Sequence, residues 1–165
     1  MLDLNKLTYE QLLNINFLYN ELENAEDKLN DLRMLKSTEK EKRVSALEAF
    51  IDELNKTINN MVNICNIFDN YDVPNKDALK MIDDFEYDDL ESIANDLKNG
   101  SLINYGNQSL KDLAQEEIDE YLYTHELPYL IKSAINVEDY TRELEANGTY
   151  LTIEDGYECL YEKLC

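Results

Sequence analysis

The sequence predicts a mainly α-helical protein with a small β part, an α+β fold built from two regions. Two long segments before Phe68 repeat apolar residues at alternating steps of three and four, the spacing of a helical packing seam. Only 4 glycines and 2 prolines interrupt the 165 residues, which favours helices joined by short connections. The C-terminal segment places β-branched and aromatic residues around Asp155-Gly156, a pattern typical of a β-hairpin. We therefore expect a helical hairpin over residues 1–68 and an acidic body over 69–165.

The first region is predicted to be an antiparallel hairpin of two long helices. The first helix is expected from about Thr8 to Leu35, with a seam formed by Ile15, Leu18, Leu22, Ala25, Leu29 and Leu32. Thr38 followed by Glu41 has the spacing of a capping box, which begins the second helix. The second seam consists of Val44, Leu47, Ile51, Leu54, Ile58, Met61, Cys65 and Phe68. Two seams of similar length joined by a short turn bury each other when the helices pack antiparallel.

The second region begins where this helical pattern breaks. Pro74 disfavours helix in the residue before it, so we place the boundary between Asp69 and Asn75. Short helices are expected over 77–83 and 87–98, and Gly100 stands where a helix ends. A short strand is expected over 102–105, closed by Gly106.

Two further N-cap residues organise the rest of the acidic body. Ser109 begins a helix to about Tyr123, and Asn136 begins a helix over 137–146 that Gly148 ends. A short helix over 128–134 is expected between them. The strands 149–153 and 157–161 form the hairpin, which is marginal alone and should pair with strand 102–105, with a neighbouring subunit, or with both.

Charge separates the two regions. The net charge is −21, but residues 1–68 carry 12 acids and 8 bases, whereas residues 69–165 carry 24 acids and 7 bases, or −17. Apolar and aromatic residues run throughout the acidic region, unlike the composition of disordered acidic tails. A protein of this charge repels nucleic acids and anionic membranes. Its expected partner is therefore a basic, nucleic-acid-binding protein.

Helical geometry is expected to turn many of these carboxylates outward on a folded surface. The predicted partner-binding carboxylates are Asp83, Asp84, Glu86, Asp88, Asp89, Glu91, Asp96, Glu116, Glu117, Asp119 and Glu120. The alternative interpretation is a solvated acidic face that serves solubility alone.

Several kinds of chemistry lack the residues that they need. Cys65, Cys159 and Cys165 form no CxxC pair, and His125 is the single histidine, so we expect neither a metal site nor a cofactor. No nucleophile motif accompanies His125, and adjacent acids on a helix point about 100° apart, so we predict that the protein is not an enzyme. The N-terminal sequence lacks the features of a signal peptide, which together with the cysteine usage predicts a reduced cytoplasmic location.

Part of the chain resembles the ArdA antirestriction proteins. The resemblance rests on Leu97-Lys-Asn-Gly-Ser-Leu-Ile-Asn-Tyr105, Ser109-Leu-Lys-Asp-Leu-Ala114, Ile135-Asn-Val-Glu-Asp-Tyr-Thr-Arg-Glu-Leu144 and the segments around Gly148 and Gly156. It spans roughly residues 83–161. It implies an acidic, elongated, usually dimeric protein that imitates the charge and bend of duplex DNA and occupies the DNA-binding groove of type I restriction-modification enzymes. The mixed α/β domain with which such chains normally begin is replaced here by the helical hairpin, and Asn136 stands where aspartate is usual.

The leading hypothesis is an inhibitor of a bacterial defence nuclease, encoded by a phage, plasmid or other mobile element and acting in the host cytoplasm. One alternative is an anti-CRISPR protein that blocks an RNA-guided nuclease, whose heteroduplex channel is also basic. Another is a coiled-coil adaptor in which the hairpin is the working part. We also expect a homodimer, with an interface formed by Tyr129, Leu130, Tyr150, Leu151 and Ile153.

Overall fold

The computed structural model describes residues 2–34, 40–147, 149–154 and 158–164. The chain divides into two compact units, Met1–Phe68 and Asp69–Cys165. The predicted fold class is confirmed, because the protein is mainly helical and has a small antiparallel sheet. No helix within the described ranges combines the length and the apolar character that a membrane crossing requires.

The first unit contains the helical hairpin. A 3-10 turn over Leu4–Lys6 precedes helices α1 (Tyr9–Leu13), α2 (Ile15–Met34) and α3 (Lys40–Asn70). The end of α2 lies beside the start of α3, where Arg33 Nη2 is 2.9 Å from Glu48 Oε1. Because the end of one helix lies beside the start of the next, the two helices run antiparallel, as the two seams predict.

The expectation of a single helix from Thr8 to Leu35 is wrong, because the chain leaves helical geometry at Asn14. Thr8 and Gln11 form a capping box at the start of α1, and Asn14 adopts φ −82° and ψ 81°. The Asn14 side chain then accepts a hydrogen bond from the Phe17 amide at 3.1 Å, so it caps α2. The predicted helix end at Leu35 and the predicted capping box at Thr38 lie outside the described residues.

Both seams are at least partly buried, and the stripe on α3 is wider than the predicted one. Leu18, Ala25 and Leu29 are buried on α2. On α3, burial extends beyond the predicted seam to Phe50, Ile64 and Ile67, whereas Cys65 is only half-buried. The heptad spacing therefore found the correct face of each helix but underestimated its width.

The second unit contains five helices among its described residues: α4 (Asn75–Asp84), α5 (Leu90–Asn99), α6 (Leu110–Thr124), α7 (Tyr129–Lys132) and α8 (Val137–Ala146). The predicted caps are confirmed, since Ser109 accepts from the Asp112 amide at 3.1 Å and Asn136 accepts from the Glu138 amide at 3.0 Å. Gly100 ends α5 with a left-handed φ of 73°. Helix α5 begins at Leu90, later than predicted, because Asp89 is its N-cap. Gly148 lies outside the described residues.

Three antiparallel strands form the sheet: β1 (Leu102–Gly106), β2 (Tyr150–Glu154) and β3 (Glu158–Lys163), in the order β1-β3-β2. The hairpin therefore pairs with the strand that begins at Leu102, as expected. The register shifts between Asn104 and Gly106, and Gly106 has a φ of 63°, a value that glycine adopts without strain. The predicted turn at Asp155-Gly156 lies outside the described residues.

Helices α6 and α8 pack on the sheet through a small apolar core. Its buried members are Leu110, Leu113, Ala114, Leu144 and Leu160. Tyr105, Val137, Tyr140 and Tyr150 cover this core and remain half-buried. These tyrosines therefore carry hydroxyl groups to the margin of the core, where the carboxylates begin.

Candidate functional site

The first group of predicted carboxylates occupies the end of α4, the connection that follows it and the start of α5. Asp83, Asp84, Glu86, Asp88, Asp89 and Glu91 are all exposed. The Asp89 carboxylate accepts hydrogen bonds from the amide and hydroxyl of Ser92, both at 2.8 Å, and so fixes the start of α5. Glu86 adopts a left-handed φ of 53°, a conformation that costs a non-glycine residue energy. Six exposed carboxylates thus lie within nine consecutive residues on a backbone of defined conformation.

The second group lies on α6. Glu116, Asp119 and Glu120 are exposed, and Glu117 is half-buried. Gln108 Nε2 donates to Glu116 at 2.9 Å, and Gln115 Nε2 donates to Asp119 at 2.9 Å. Neutral side chains therefore order two of these carboxylates and leave their charge in place.

Two of the eleven predicted carboxylates do not stand fully outward. Asp96 is half-buried and accepts a hydrogen bond from the Tyr87 hydroxyl at 2.8 Å. Glu117 accepts one from the Tyr140 hydroxyl at 2.5 Å. The expectation that helical geometry turns both side chains to solvent is corrected, because each is held against a tyrosine of its own unit.

Tyrosine hydroxyls also hold carboxylates outside the predicted partner-binding set. The Tyr105 hydroxyl donates to Glu162 at 2.7 Å, and the Tyr161 hydroxyl donates to Asp77 at 2.6 Å. Asp77 is only 2% exposed, and its Oδ1 atom has no hydrogen-bond partner among the described residues. The spacing of Asp77 to the buried Met81 is one helical turn, a signal that could have placed this aspartate on the inner face.

The surroundings of these tyrosines favour the neutral hydroxyl. The hydrogen bond to Glu117, together with burial, raises the pKa of Tyr140 to about 12. Burial, followed by the neighbouring carboxylate, raises the pKa of Tyr87, Tyr105, Tyr150 and Tyr161 well above the ordinary tyrosine value. The five hydroxyls therefore remain protonated donors near neutral pH. A neutral donor satisfies a carboxylate without cancelling its charge.

Two ion pairs of the second unit lie on its exposed surface. Lys111 Nζ lies 3.8 Å from Glu138, and Arg142 Nη1 lies 2.9 Å from Asp139, with all four side chains more than 60% exposed. Ion pairs exposed to this degree contribute little to stability, and neither pair involves one of the predicted partner-binding carboxylates. Lys163 donates instead to the Phe85 carbonyl at 2.8 Å and lies 3.9 Å from the centre of the Tyr87 ring.

Some acids occupy positions that local stability disfavours. Asp83 and Asp84 lie in the last turn of α4, and Glu143 and Glu145 lie in the last turn of α8, where neither helix has a basic residue. The C-terminal end of a helix carries partial negative charge, so carboxylates there are unfavourable. Helix stability does not explain why these positions are acidic.

Only part of the predicted dimer interface lies at the surface of the described residues. Ile153 is 2% exposed and belongs to the core of its own unit, so it is not available to a second copy. Leu151 and Tyr150 are half-buried on β2, which forms one edge of the sheet. The side chains of Tyr129 and Leu130 lie outside the described residues. The edge of β2 is what remains of the predicted interface in the described part of the chain.

Within the described ranges, no three or more His, Cys, Asp or Glu side chains are grouped as a metal ion would require.

No protein-family model, no curated protein and no solved structure matches the chain. The resemblance to ArdA proteins therefore stays a prediction.

Proposed function

We propose that this protein is a non-enzymatic inhibitor that presents carboxylates to the nucleic-acid-binding groove of a basic enzyme. The observation that supports this proposal is that the acidic unit exposes many carboxylates and that neutral side chains order some of them. Exposed carboxylates are concentrated on residues 83–91 and 116–120, and neutral serine and glutamine donors order three of them, Asp89, Glu116 and Asp119. Duplex DNA carries one charge per about 1.7 Å of axis, and its binding proteins meet that charge with lysine and arginine. The same cations can pair with an ordered carboxylate array.

The location of the charge favours this proposal over simple solubility. Acids at any exposed position serve solubility, so solubility does not require acids in the last turns of α4 and α8, where the helix dipole opposes them. Selection for a partner that needs negative charge there accounts for both positions. The resemblance to ArdA proteins makes a type I restriction-modification enzyme, in the cytoplasm of a bacterial host, the first target to test.

Two variants test the proposal, and each removes the same number of negative charges, one from the second unit and the other from the first. The test variant replaces six exposed acids of the second unit with their amides: Asp83, Asp84, Glu86, Glu91, Glu116 and Glu120. It leaves the helix cap Asp89 and the tyrosine-bound Asp96 and Glu117 unchanged. The control variant replaces six exposed acids of the first unit with their amides: Glu10, Glu23, Glu26, Asp27, Asp31 and Asp52. Each variant removes six charges, so both have the same net charge.

Cleavage of duplex DNA by a purified type I enzyme is then measured against inhibitor concentration. We expect the test variant to lose inhibition while its circular dichroism is unchanged, and the control variant to inhibit as the unmodified protein does. Full inhibition by the test variant would favour the coiled-coil adaptor, whose working part is the hairpin. The same pair of variants assayed against an RNA-guided nuclease separates the two kinds of target.

We also propose that the protein forms a homodimer through the edge of β2. Unpaired strand edges favour pairing with a second chain, and the middle of β2 carries the uncharged residues Leu151 and Thr152. Sedimentation equilibrium should give a dimer mass that Leu151→Asp lowers to that of a monomer. A monomer mass at high concentration of the unmodified protein would contradict this assembly.

A further inference from the structure

A cleft of about 530 Å³ lies between the C-terminal half of α6 and the start of α8. Apolar surface dominates its lining, to which Ile118, Tyr121, Thr124, Ile135 and Tyr140 contribute. The polar end of Tyr140 is already satisfied, because its hydroxyl donates to Glu117. The Tyr121 ring stacks on His125, with ring centres 4.2 Å apart, which restricts its orientation. The cleft is thus a formed apolar surface.

Large apolar side chains remain exposed around this cleft. Within the lining, Tyr121 is 49% exposed and Ile135 is 36% exposed. Scattered apolar residues are normal on a surface, but exposed apolar side chains that line a concave site mark a place for binding.

Charge identifies the kind of occupant. Glu117 and Glu120 belong to the lining of the cleft, and the exposed Glu116 and Asp119 lie on the same helix. A second copy of this chain would bring carboxylates towards carboxylates, which is unfavourable. A segment rich in lysine or arginine would meet complementary charge at the cleft.

We propose that the cleft receives an apolar side chain carried on a basic segment of the target protein. This inference rests on the proposed function and adds an anchor to it. Protein interfaces combine a central apolar or aromatic anchor with a polar rim, and the anchor supplies much of the affinity. The carboxylates would then govern the salt-dependent encounter, and the cleft would hold the complex once formed.

The test uses two short lysine-rich synthetic peptides of equal charge, one with a central phenylalanine and one with serine in its place. Fluorescence anisotropy measures their affinities for the full chain at low and moderate salt. We expect the phenylalanine peptide to bind about tenfold more tightly, a ratio equivalent to the burial of one small apolar group. The ratio should persist as salt rises, although both affinities fall.

Uncharged substitutions show whether the preference for the phenylalanine peptide arises at the cleft. Ile135→Asn should bring the ratio of affinities close to one, and so should Thr124→Phe, which fills the cleft from an exposed position. Ile131→Asn is the matched control, because Ile131 is an exposed isoleucine outside the lining, and it should keep the full ratio.

Equal binding of the two peptides by the unmodified chain would overturn the inference. So would a preference that survives both Ile135→Asn and Thr124→Phe. Loss of a dimer in Ile135→Asn, measured by sedimentation equilibrium, would show that a second copy occupies the cleft and would also overturn it. Failure of the proposed function is read separately, from nuclease inhibition by the amide variants described above.

Discussion

The hydrogen bond between Tyr161 and Asp77 offers a sharp test of how the acidic unit stays folded. Tyr161 is fully buried, and its hydroxyl lies 2.6 Å from Asp77 Oδ2. Asp77 Oδ1 has no hydrogen-bond partner among the described residues. Tyr161→Phe therefore removes the hydrogen bond that the Asp77 carboxylate accepts, and leaves this buried carboxylate without a side-chain donor among the described residues.

The expected loss follows from that geometry. A hydrogen bond to a charged group contributes about 1.5–3 kcal/mol, and an unsatisfied buried charge shifts the value to the upper end of that range. We expect Tyr161→Phe to lower the free energy of unfolding by about 3 kcal/mol. Typical domains have only about 5–15 kcal/mol in total, so this is a large share.

Hydrogen-exchange mass spectrometry in increasing urea measures this loss on the β3 peptide, which reports on the second unit alone. Asp77→Asn is the matched control, because the amide oxygen can still accept the Tyr161 hydrogen bond and no charge is buried. It should be tolerated far better than Tyr161→Phe. Equal urea midpoints for Tyr161→Phe and the unmodified protein would show that the buried carboxylate does not depend on its tyrosine.

Three smaller predictions concern charge and backbone. The folded state raises the pKa of Tyr87, Tyr140 and Tyr161, so it keeps protons that the unfolded chain loses above about pH 10. Stability should therefore be intact below that pH and fall as the pH rises further, which urea unfolding at several pH values measures. Asp83→Asn with Asp84→Asn should raise stability by about 0.5 kcal/mol, since it removes charge from the C-terminal end of α4, and unchanged thermal unfolding would contradict the dipole explanation. Gly100→Ala should lower stability by about 1 kcal/mol because of its φ of 73°, although an added Cβ meets nothing within 4 Å; Gly100→Asn should cost less in the same assay.

Local signals in the sequence predicted the elements well. Ser109, Asn136 and Gly100 each mark a helix end through contacts within three or four residues, and the structure shows those caps. The exception is Asn14, where the apolar repeat continued but a side chain that could cap α2 interrupted the helix. The spacing of apolar residues does not report such competition between side chain and backbone.

The surroundings of the carboxylates depended on contacts between distant residues. Tyr140 is 23 positions from Glu117, and Tyr161 is 84 positions from Asp77. No periodicity connects such residues, so spacing could not predict the hydrogen bonds that hold Glu117 and Asp77, although the spacing of Asp77 to Met81 indicates that Asp77 faces inward. The burial of Ile153 likewise depends on which elements pack against its face of the sheet, and the sequence of β2 alone does not show this.

Under the proposed function, ordered carboxylates of this protein occupy a groove built for phosphates, and such binding depends strongly on salt. The affinity of the protein for an immobilised type I restriction-modification enzyme is measured over a series of salt concentrations, with and without competing duplex DNA. Binding that replaces nucleic acid should weaken steeply with salt, and DNA should displace the protein. We expect both results for the unmodified protein, and a shallower salt dependence for the variant with six amides in the second unit. An affinity that does not change with salt, or an enzyme that binds DNA and the protein together, would show that the protein does not occupy the DNA-binding groove.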